Sequence, residues 1–304
     1  MKRILILFHQ NDRHRRNRQY LIDALGDLWK ERGLEVSYMY GTGDRPEADL
    51  VIPHIDLTFT PSEYIEYLTH YPNVVNRNVT DISKRNISQY LLREGEDYTG
   101  PVIVKTNENY GGIPERRNRG NTYPFPARFV YMAAGRIGDV MRQNLARKRI
   151  LRKYLLYGDL ADVPPQVFRN PALVVERFLP EYIGNRYFTN HYVFLGDHGR
   201  IGRASSDEPF VKRENSVLVS DEPIMKKDGS VPENVDPAIM DKLFEMRRRL
   251  GFDYGKFDYT IHNGEVIILD VNWTPCIPGL MNSPELAAGV STLSDGIWSL
   301  LERT

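Results

Sequence analysis

The chain has 304 residues, with 40 Lys plus Arg against 40 Asp plus Glu, so its formal net charge is zero. That balance argues against a dedicated nucleic-acid binder, and 41% hydrophobic residues with 18 Tyr and 12 Phe exclude global disorder. The single cysteine, Cys276, excludes an internal disulfide and a cysteine zinc cluster, and no apolar run reaches the roughly 18 residues of a membrane span.

Ile4 to Phe8 is an apolar run suited to a buried parallel strand, and too short for a signal peptide's apolar stretch. The expectation is a protein of the cytoplasm. Tyr20, Leu21, Ala24, Leu25 and Leu28 recur at helical spacing, with Gly33 where the helix would stop. Leu34 to Tyr40 and Asp49 to Pro53 read as the second and third strands, and Ser62 to His70 as a short helix after Pro61. Asn73 to Val75 is a candidate fourth strand and Asp81 to Leu92 a further helix. This alternation predicts an open α/β layer with a parallel sheet.

Val102 to Lys105 is a strand running into Thr106 to Gly112, and residues 113–125, rich in Arg, Asn, Gly and Pro, read as a mobile loop. Arg142 to Tyr157 reads as a basic helix and Ala172 to Leu179 as a strand carrying Glu176. The last third reads as antiparallel, with a strand over Tyr192 to Leu195 and an amphipathic helix over Pro237 to Leu250. Phe257 to Ile261 and Val266 to Val271 flank His262-Asn263-Gly264, the strongest hairpin signal in the chain.

The apolar sets of that hairpin, Phe257, Tyr259, Ile261 and Ile267, Leu269, Val271, Trp273, are both odd-numbered. Facing residues share a side of the sheet, so the two sets meet only if paired numbers sum to an even value. A two-residue Asn263-Gly264 turn gives an odd sum, and a three-residue loop with Gly264 as a bulge gives an even one. The three-residue loop is therefore expected, and it projects Lys256, Asp258, Asp270 and Asn272 together from the other face. Two carboxylates and an amide are oxygen ligands suited to Mg²⁺ shared with a substrate phosphate. An ordinary solvated polar face with a salt bridge is the alternative.

The run Asp253-Tyr254-Gly255-Lys256-Phe257-Asp258, with Leu269-Asp270-Val271-Asn272-Trp273-Thr274-Pro275 after the hairpin, resembles the metal-binding core of ATP-grasp enzymes such as D-alanine–D-alanine ligases. Val102 to Lys105 followed by Gly111-Gly112 is similar to that family's phosphate-contacting lysine strand and glycine-rich lid. Val174 to Leu179 looks like its adenine-binding hinge, and Asp81-Ile82-Ser83-Lys84 resembles its first nucleotide-lysine helix. The order of the motifs holds over residues 1–304. The resemblance implies a mixed α/β fold: an open parallel α/β domain over residues 1–97, a small lid subdomain over 98–178 and a metal-binding subdomain with antiparallel sheet over 179–304.

Its implied activity is ATP-dependent ligation of a carboxylate to an amine through an acyl phosphate, with ADP and phosphate released. A phosphotransferase of the same fold, or a non-catalytic ATP-binding scaffold, are the alternatives. The cofactors implied are ATP and Mg²⁺, with Mn²⁺ as a substitute; the partners are a small carboxylate and an amine, an amino acid or small peptide by analogy, and no nucleic acid or membrane. Lys105 and Lys256 would neutralise charge on the transferred group. Lys84 (with Arg85 as its rival), Lys105, Gly111 and Gly112 would contact phosphates; around Glu176, Arg177, Phe178 and Leu179 backbone groups would hydrogen-bond the adenine edge, while Phe178 and Leu179 help wall its pocket. Glu181 would accept from a ribose hydroxyl or form a surface corner. Asp258, Asp270 and Asn272 would hold the metal.

Three departures stand out. The second acid is Asp270 where Glu is usual, Cys276 stands where many ligases have Gly, and the Lys84–Lys105 interval is short enough for a strand to be missing. Cys276 is expected as a small packed thiol. Arg13, Arg15, Arg16 and Arg18, Arg116, Arg117 and Arg119, and the cations from Arg142 to Lys153 are local concentrations, with solvated faces as their main explanation. Arg203, Lys212 and Arg213 are candidate phosphate or carboxylate contacts. His9, Asn11, His54, Asp56, Asn282 and Ser283 are candidate substrate contacts. The histidines show no metal-ligand spacing and read as structural.

Overall fold

The computed structural model describes residues 1–12, 20–121, 154–211, 215–223, 236–276 and 284–303. In chain order its strands are β1 (Arg3–Phe8), β2 (Glu35–Tyr40), β3 (Leu50–His54), β4 (Val102–Thr106), β5 (Leu155–Tyr157) and β6 (Leu173–Arg177). There follow β7 (Glu181–Ile183), β8 (Arg186–Leu195), β9 (His198–Ser206), β10 (Val217–Pro223), β11 (Tyr254–His262) and β12 (Glu265–Asn272). They form a parallel sheet β2-β1-β3, an antiparallel sheet β5-β4-β6, and an antiparallel sheet β10-β9-β8-β11-β12 with β7 added beside β8. The mixed α/β architecture expected from the sequence is the one observed. No helix among the described residues is long and apolar enough to cross a membrane.

The chain divides into two compact units. The first comprises Met1–Asp56, Thr60–Thr80 and Pro180–Thr304, and the second Leu57–Phe59 and Asp81–Leu179. In the first, Ile4, Ile6 and Phe8 alternate into one core with Leu21, Ile22, Leu25 and Trp29 of the helix Leu21–Glu31. Val290, Leu293, Ile297, Leu300 and Leu301, from the helices Pro284–Ser294 and Ile297–Leu301, complete that core at helical spacing. The contact is fixed by polar bonds as well. Trp29 Nε1 donates to Ser294 O at 3.0 Å, and Arg32 pairs with Asp295 at 2.5 Å. In the second unit Val102, Val104, Tyr157 and Val175 pack with Leu92, Leu160 and Val163.

Several local expectations are corrected. The segment from Asp81 is helical only over Lys84–Ile87; Ser88 turns extended, and Leu91 and Leu92 instead bond the edge of β6 through Glu176 and Val175. Within the described residues no further strand lies between Lys84 and Lys105, as the short interval implied. Residues expected as a loop form the helix Ile113–Asn121, with Pro114 tolerated in its first turn beside Glu115 and with Arg119 in its last. Residues 122–125 and Arg142 to Lys153 lie outside the described residues, and the last three residues of the expected basic helix form β5 against β4. Asn73 to Val75 contributes one parallel bridge, Val51 to Val74, because Pro72 precedes it and Asn76 leaves it at φ 55°.

The hairpin is also corrected. Asn263 and Gly264 both have positive φ, 51° and 78°, and close a two-residue turn with His262 paired to Glu265. The odd register runs to Tyr259–Ile268, where Leu269 is passed over as a bulge; Asp258 then pairs with Asp270, Phe257 with Val271 and Lys256 with Asn272. The extra residue lies in the strand rather than in the loop.

Gly196, in the β8–β9 turn, has φ +56° and lies so close to Gly296 that a Cβ would stand 2.1 Å from its carbonyl oxygen. Gly196→Ala is expected to cost about 2–5 kcal/mol, from left-handed backbone and from overpacking together. Gly264→Ala, at φ +78° with nothing within 4 Å of a Cβ, should cost only the backbone share of about 1–2 kcal/mol. Urea unfolding of the two variants checks both the ranking and the size.

Candidate functional site

The bulge sets the polar face of the six-stranded sheet. Asp258 on β11 faces Asp270 on β12 and, on its other side, His191 on β8. Asn272 and Lys256 form the adjacent pair. Asp258 Oδ1 accepts from Lys256 Nζ at 2.9 Å and lies 2.5 Å from His191 Nδ1. Burial opposes ionisation of Asp258, but the Lys256 ammonium and His191 outweigh it and hold the carboxyl well below the ordinary range. Both contacts fall on Oδ1.

Asn272 Oδ1 accepts from the backbone N–H of Thr274 at 2.8 Å and lies 3.0 Å from its Oγ1. Thr274 Oγ1 also reaches Asp56 Oδ1 at 2.9 Å, and Tyr20 Oη bonds Asp12 and Asp56 at 3.0 and 3.2 Å. No group of three His, Cys, Asp or Glu side chains able to hold a metal occurs among the described residues. The donor chemistry fits a hard cation that keeps waters and takes further oxygens from a substrate, which is how Mg²⁺ binds; it does not fit an all-protein cage.

In the second unit Lys105 and Glu176 are both buried, and Lys105 Nζ donates to Glu176 Oε2 at 2.7 Å. Register explains the meeting: Glu176 faces Ile103, two residues from Lys105 and on the same side of β4. Glu176 Oε1 has no hydrogen-bond partner among the described residues. The N–H groups of Arg177 and Phe178 donate to Tyr90 O and Pro101 O, and the Arg177 guanidinium lies over the Tyr98 ring. Lys84 is buried, whereas its rival Arg85 is exposed and donates to Leu173 O.

Tyr110, Gly111 and Gly112 are left-handed in succession, with φ of 45°, 66° and 67°. A Cβ at Gly112 would displace the Glu108 carboxylate, and its left-handed φ of 67° favours glycine there. The turn is anchored within its unit, since Asn109 N donates to Thr58 Oγ1 and Thr58 N to Glu115 Oε1. Burial pushes the Glu108 carboxyl up, and Glu115 adds to the rise.

Glu181 is not a surface corner. It is buried, and its oxygens accept from Asn190 Nδ2, Ile261 N and Arg203 Nη2 at 2.8, 3.0 and 2.6 Å. Arg203 is thereby committed to Glu181. Cys276, expected as a packed thiol, is exposed. His54 is buried against Phe8 and Tyr20, and His9 stacks on Tyr64. The Arg13–Arg18 cluster, Lys212, Arg213, Asn282 and Ser283 lie outside the described residues.

His191 is the site residue that sequence reasoning passed over. The strand expected from Tyr192 begins six residues earlier, at Arg186, and that extension brings His191 beside Asp258. Arg186 to Tyr192, Arg-Tyr-Phe-Thr-Asn-His-Tyr, lacks the period-two alternation that would have marked the extension.

No protein-family model matches this chain, and no curated protein matches it. Solved structures do match along nearly the whole length. The VanG D-Ala:D-Ser ligase from Enterococcus faecalis is 12% identical, covers 99% of each chain and superposes with a TM-score of 0.52. The macrocyclase MdnC from Microcystis aeruginosa MRC, bound with precursor peptide MdnA, is 10% identical, with 98% of this chain and 100% of that chain covered and a TM-score of 0.50. The ATP-grasp ligase PsnB, complexed with a minimal precursor, is 10% identical, with 99% of each chain covered and a TM-score of 0.50. At these identities the likeness is one of fold, and the fold is the ATP-grasp fold that the motifs resemble.

A desolvated ion pair loses far more from removal of one partner than of both. Lys105→Met is expected to cost about 3–5 kcal/mol, because Glu176 is left charged and buried. Adding Glu176→Leu should recover most of that loss. A double-mutant cycle by urea unfolding checks it, and a single-variant loss below about 1 kcal/mol would mean that water reaches the pair.

Proposed function

We propose that this chain is an ATP-dependent ligase that joins a carboxylate to an amine through an acyl phosphate. The observation that carries the reading is the row His191–Asp258–Asp270, flanked by Lys256, on the face of an antiparallel sheet. It occurs in a chain whose fold is shared with ligases.

Asp258 and Asp270 would hold Mg²⁺ through carboxylate oxygens, and Asn272 would join them by giving up a bond to Thr274. When bound, the ion would withdraw charge from the transferred phosphoryl group. Lys256 holds Asp258 ionised and offers its remaining N–H donors to a phosphate oxygen. Lys105, oriented by Glu176, donates to a second phosphate oxygen, and the orphan Oε1 of Glu176 accepts from the amino group of the base. The main-chain N–H groups at Gly111 and Gly112 approach phosphate oxygens without obstruction by a side chain.

The substrate carboxylate attacks the γ-phosphorus, and ADP leaves. The amine then adds to the acyl carbon, phosphate departs with the bonding pair, and the amine loses a proton. An amino acid or a short peptide is the substrate class proposed on both sides, with Mn²⁺ able to replace Mg²⁺.

Calorimetric titration is the first test. Wild type should bind ATP at least tenfold more tightly with Mg²⁺ than without, and should prefer ATP to GTP. The Asp258→Asn, Asp270→Asn double variant should lose the Mg²⁺ enhancement and keep its fold. Folded wild type that binds no nucleotide would overturn the reading. Where ADP forms, hydroxylamine should capture an acyl hydroxamate; ADP without hydroxamate would indicate a phosphotransferase instead.

A further inference from the structure

A cleft lies within the first unit, lined by none of the residues of the candidate site. It has a volume of about 550 Å³ and is bounded by the segment Pro72–Asn78, by the C-terminal end of the helix Pro237–Leu250, and by Arg303. Val74 and Phe252 give it buried apolar walls. That volume falls within the range of small-molecule sites, about 300–1,000 Å³.

Its charge is lopsided. Arg77, Arg247, Arg248 and Arg303 line it, against Asp253 as the one acid among the described lining residues. Three of the guanidiniums are held by neutral or already shared groups. Arg77 donates to the carbonyls of Leu68, Tyr71 and Pro72. Arg247 donates to the carbonyls of Phe252, Gly196 and Asp253, at 2.8, 2.5 and 3.1 Å, and reaches Tyr192 Oη at 3.5 Å. Arg303 pairs with Asp253 Oδ1 at 2.5 Å, while Oδ2 of the same carboxylate accepts from Asn76 N. Arg248 is exposed, and its guanidinium has no hydrogen-bond or ion-pair partner among the described residues.

Carbonyl acceptors fix a guanidinium without neutralising it. Each arginine has five N–H donors, so Arg77, Arg303 and Arg248 all retain donors for a ligand. Four cations against one anion leave an excess of three positive charges inside a concave, partly apolar surface, where low-dielectric walls focus the field. Tying segments of a fold together does not require such an excess; a solvated helix face does not require a cavity. Fixed forks facing a cleft match oxygen anions bidentately.

We infer that this cleft is a binding site for a small anion carrying two or more negative oxygens, a phosphate ester or a polycarboxylate. It uses none of the residues proposed for ligation, and it stands or falls separately from that reading.

Titration calorimetry without Mg²⁺ at constant ionic strength tests it, with pyrophosphate and citrate as separate probes. Whichever probe binds identifies the phosphate or the carboxylate source. Arg248→Glu should weaken that binding at least tenfold and Arg248→Ala by a smaller factor, with melting temperatures near that of wild type. Lys242→Glu, the same charge change on another side of the same helix, should alter affinity less than twofold. The inference is overturned if neither probe binds wild type, if Arg248→Glu binds as wild type does, or if Arg248→Glu and Lys242→Glu weaken binding alike.

Discussion

The bulge at Leu269 decides which side chains share the polar face of the terminal hairpin. The two-residue turn at Asn263-Gly264 imposes a register in which Asp258 would oppose Leu269 and Phe257 would oppose Asp270. Continued to the base of the hairpin, that register would drive a carboxylate into the core against Phe257, which is fully buried. Burying an unpaired carboxylate costs far more than leaving one ladder position unpaired. The strand accordingly passes over one residue, and Asp258 meets Asp270 while Phe257 meets Val271. Hydrophobic register near the turn and ionic register near the base are incompatible in an unbroken ladder, and the bulge reconciles them.

Three buried or half-buried carboxylates illustrate how differently the fold treats charge. Glu181 receives three donors, two on one oxygen and one on the other, so its demand is met by the protein. Glu176 receives Lys105 on one oxygen and nothing among the described residues on the other. Asp258 concentrates both of its contacts on Oδ1. A carboxylate whose acceptors are all filled locks strands together, and one with an oxygen to spare is suited to receive a ligand. By that criterion Glu181 belongs to the framework that steadies β7, β8, β9 and β11. Glu176 keeps an oxygen without a partner among the described residues, and Asp258 takes both of its contacts on one oxygen.

The layered fold was legible because it rests on periodicity. Ile4 to Phe8, the helix ending before Gly33 and the amphipathic helix from Pro237 all carry strong local patterns, and each is found where its pattern lies. Failures came where tertiary pairing overrode local preference. The segment after Ile87 has a helical pattern, yet Leu91 and Leu92 gain more by bonding the exposed edge of β6. The hairpin parity argument correctly required an odd-to-even shift, but sequence parity cannot say where along the ladder the extra residue sits. At the site, the residue types on β11 and β12 announced an oxygen-rich face. His191 was illegible because its partner depends on how far β8 extends, a property set by pairing to β9 and β11 rather than by its own sequence.

Precision at that face follows from how the start of β11 is held. Asn76, buried and in the left-handed region, accepts from the N–H groups of Asp253 and Tyr254 and donates to the carbonyl of Tyr254. One side chain thus satisfies three main-chain groups at the point where the strand leaves the turn after Gly251, so the strand's entry is fixed before its ladder begins. Tyr254 and Leu195 then enter the same core as β1 and the C-terminal helices. Lys256 and Asp258 follow two and four residues later, on the same side of the strand as Tyr254. A cation site needs its carboxylates held to within about 0.5 Å. Main-chain bonding at Asn76 and core packing at Tyr254 thus fix the strand that carries Lys256 and Asp258.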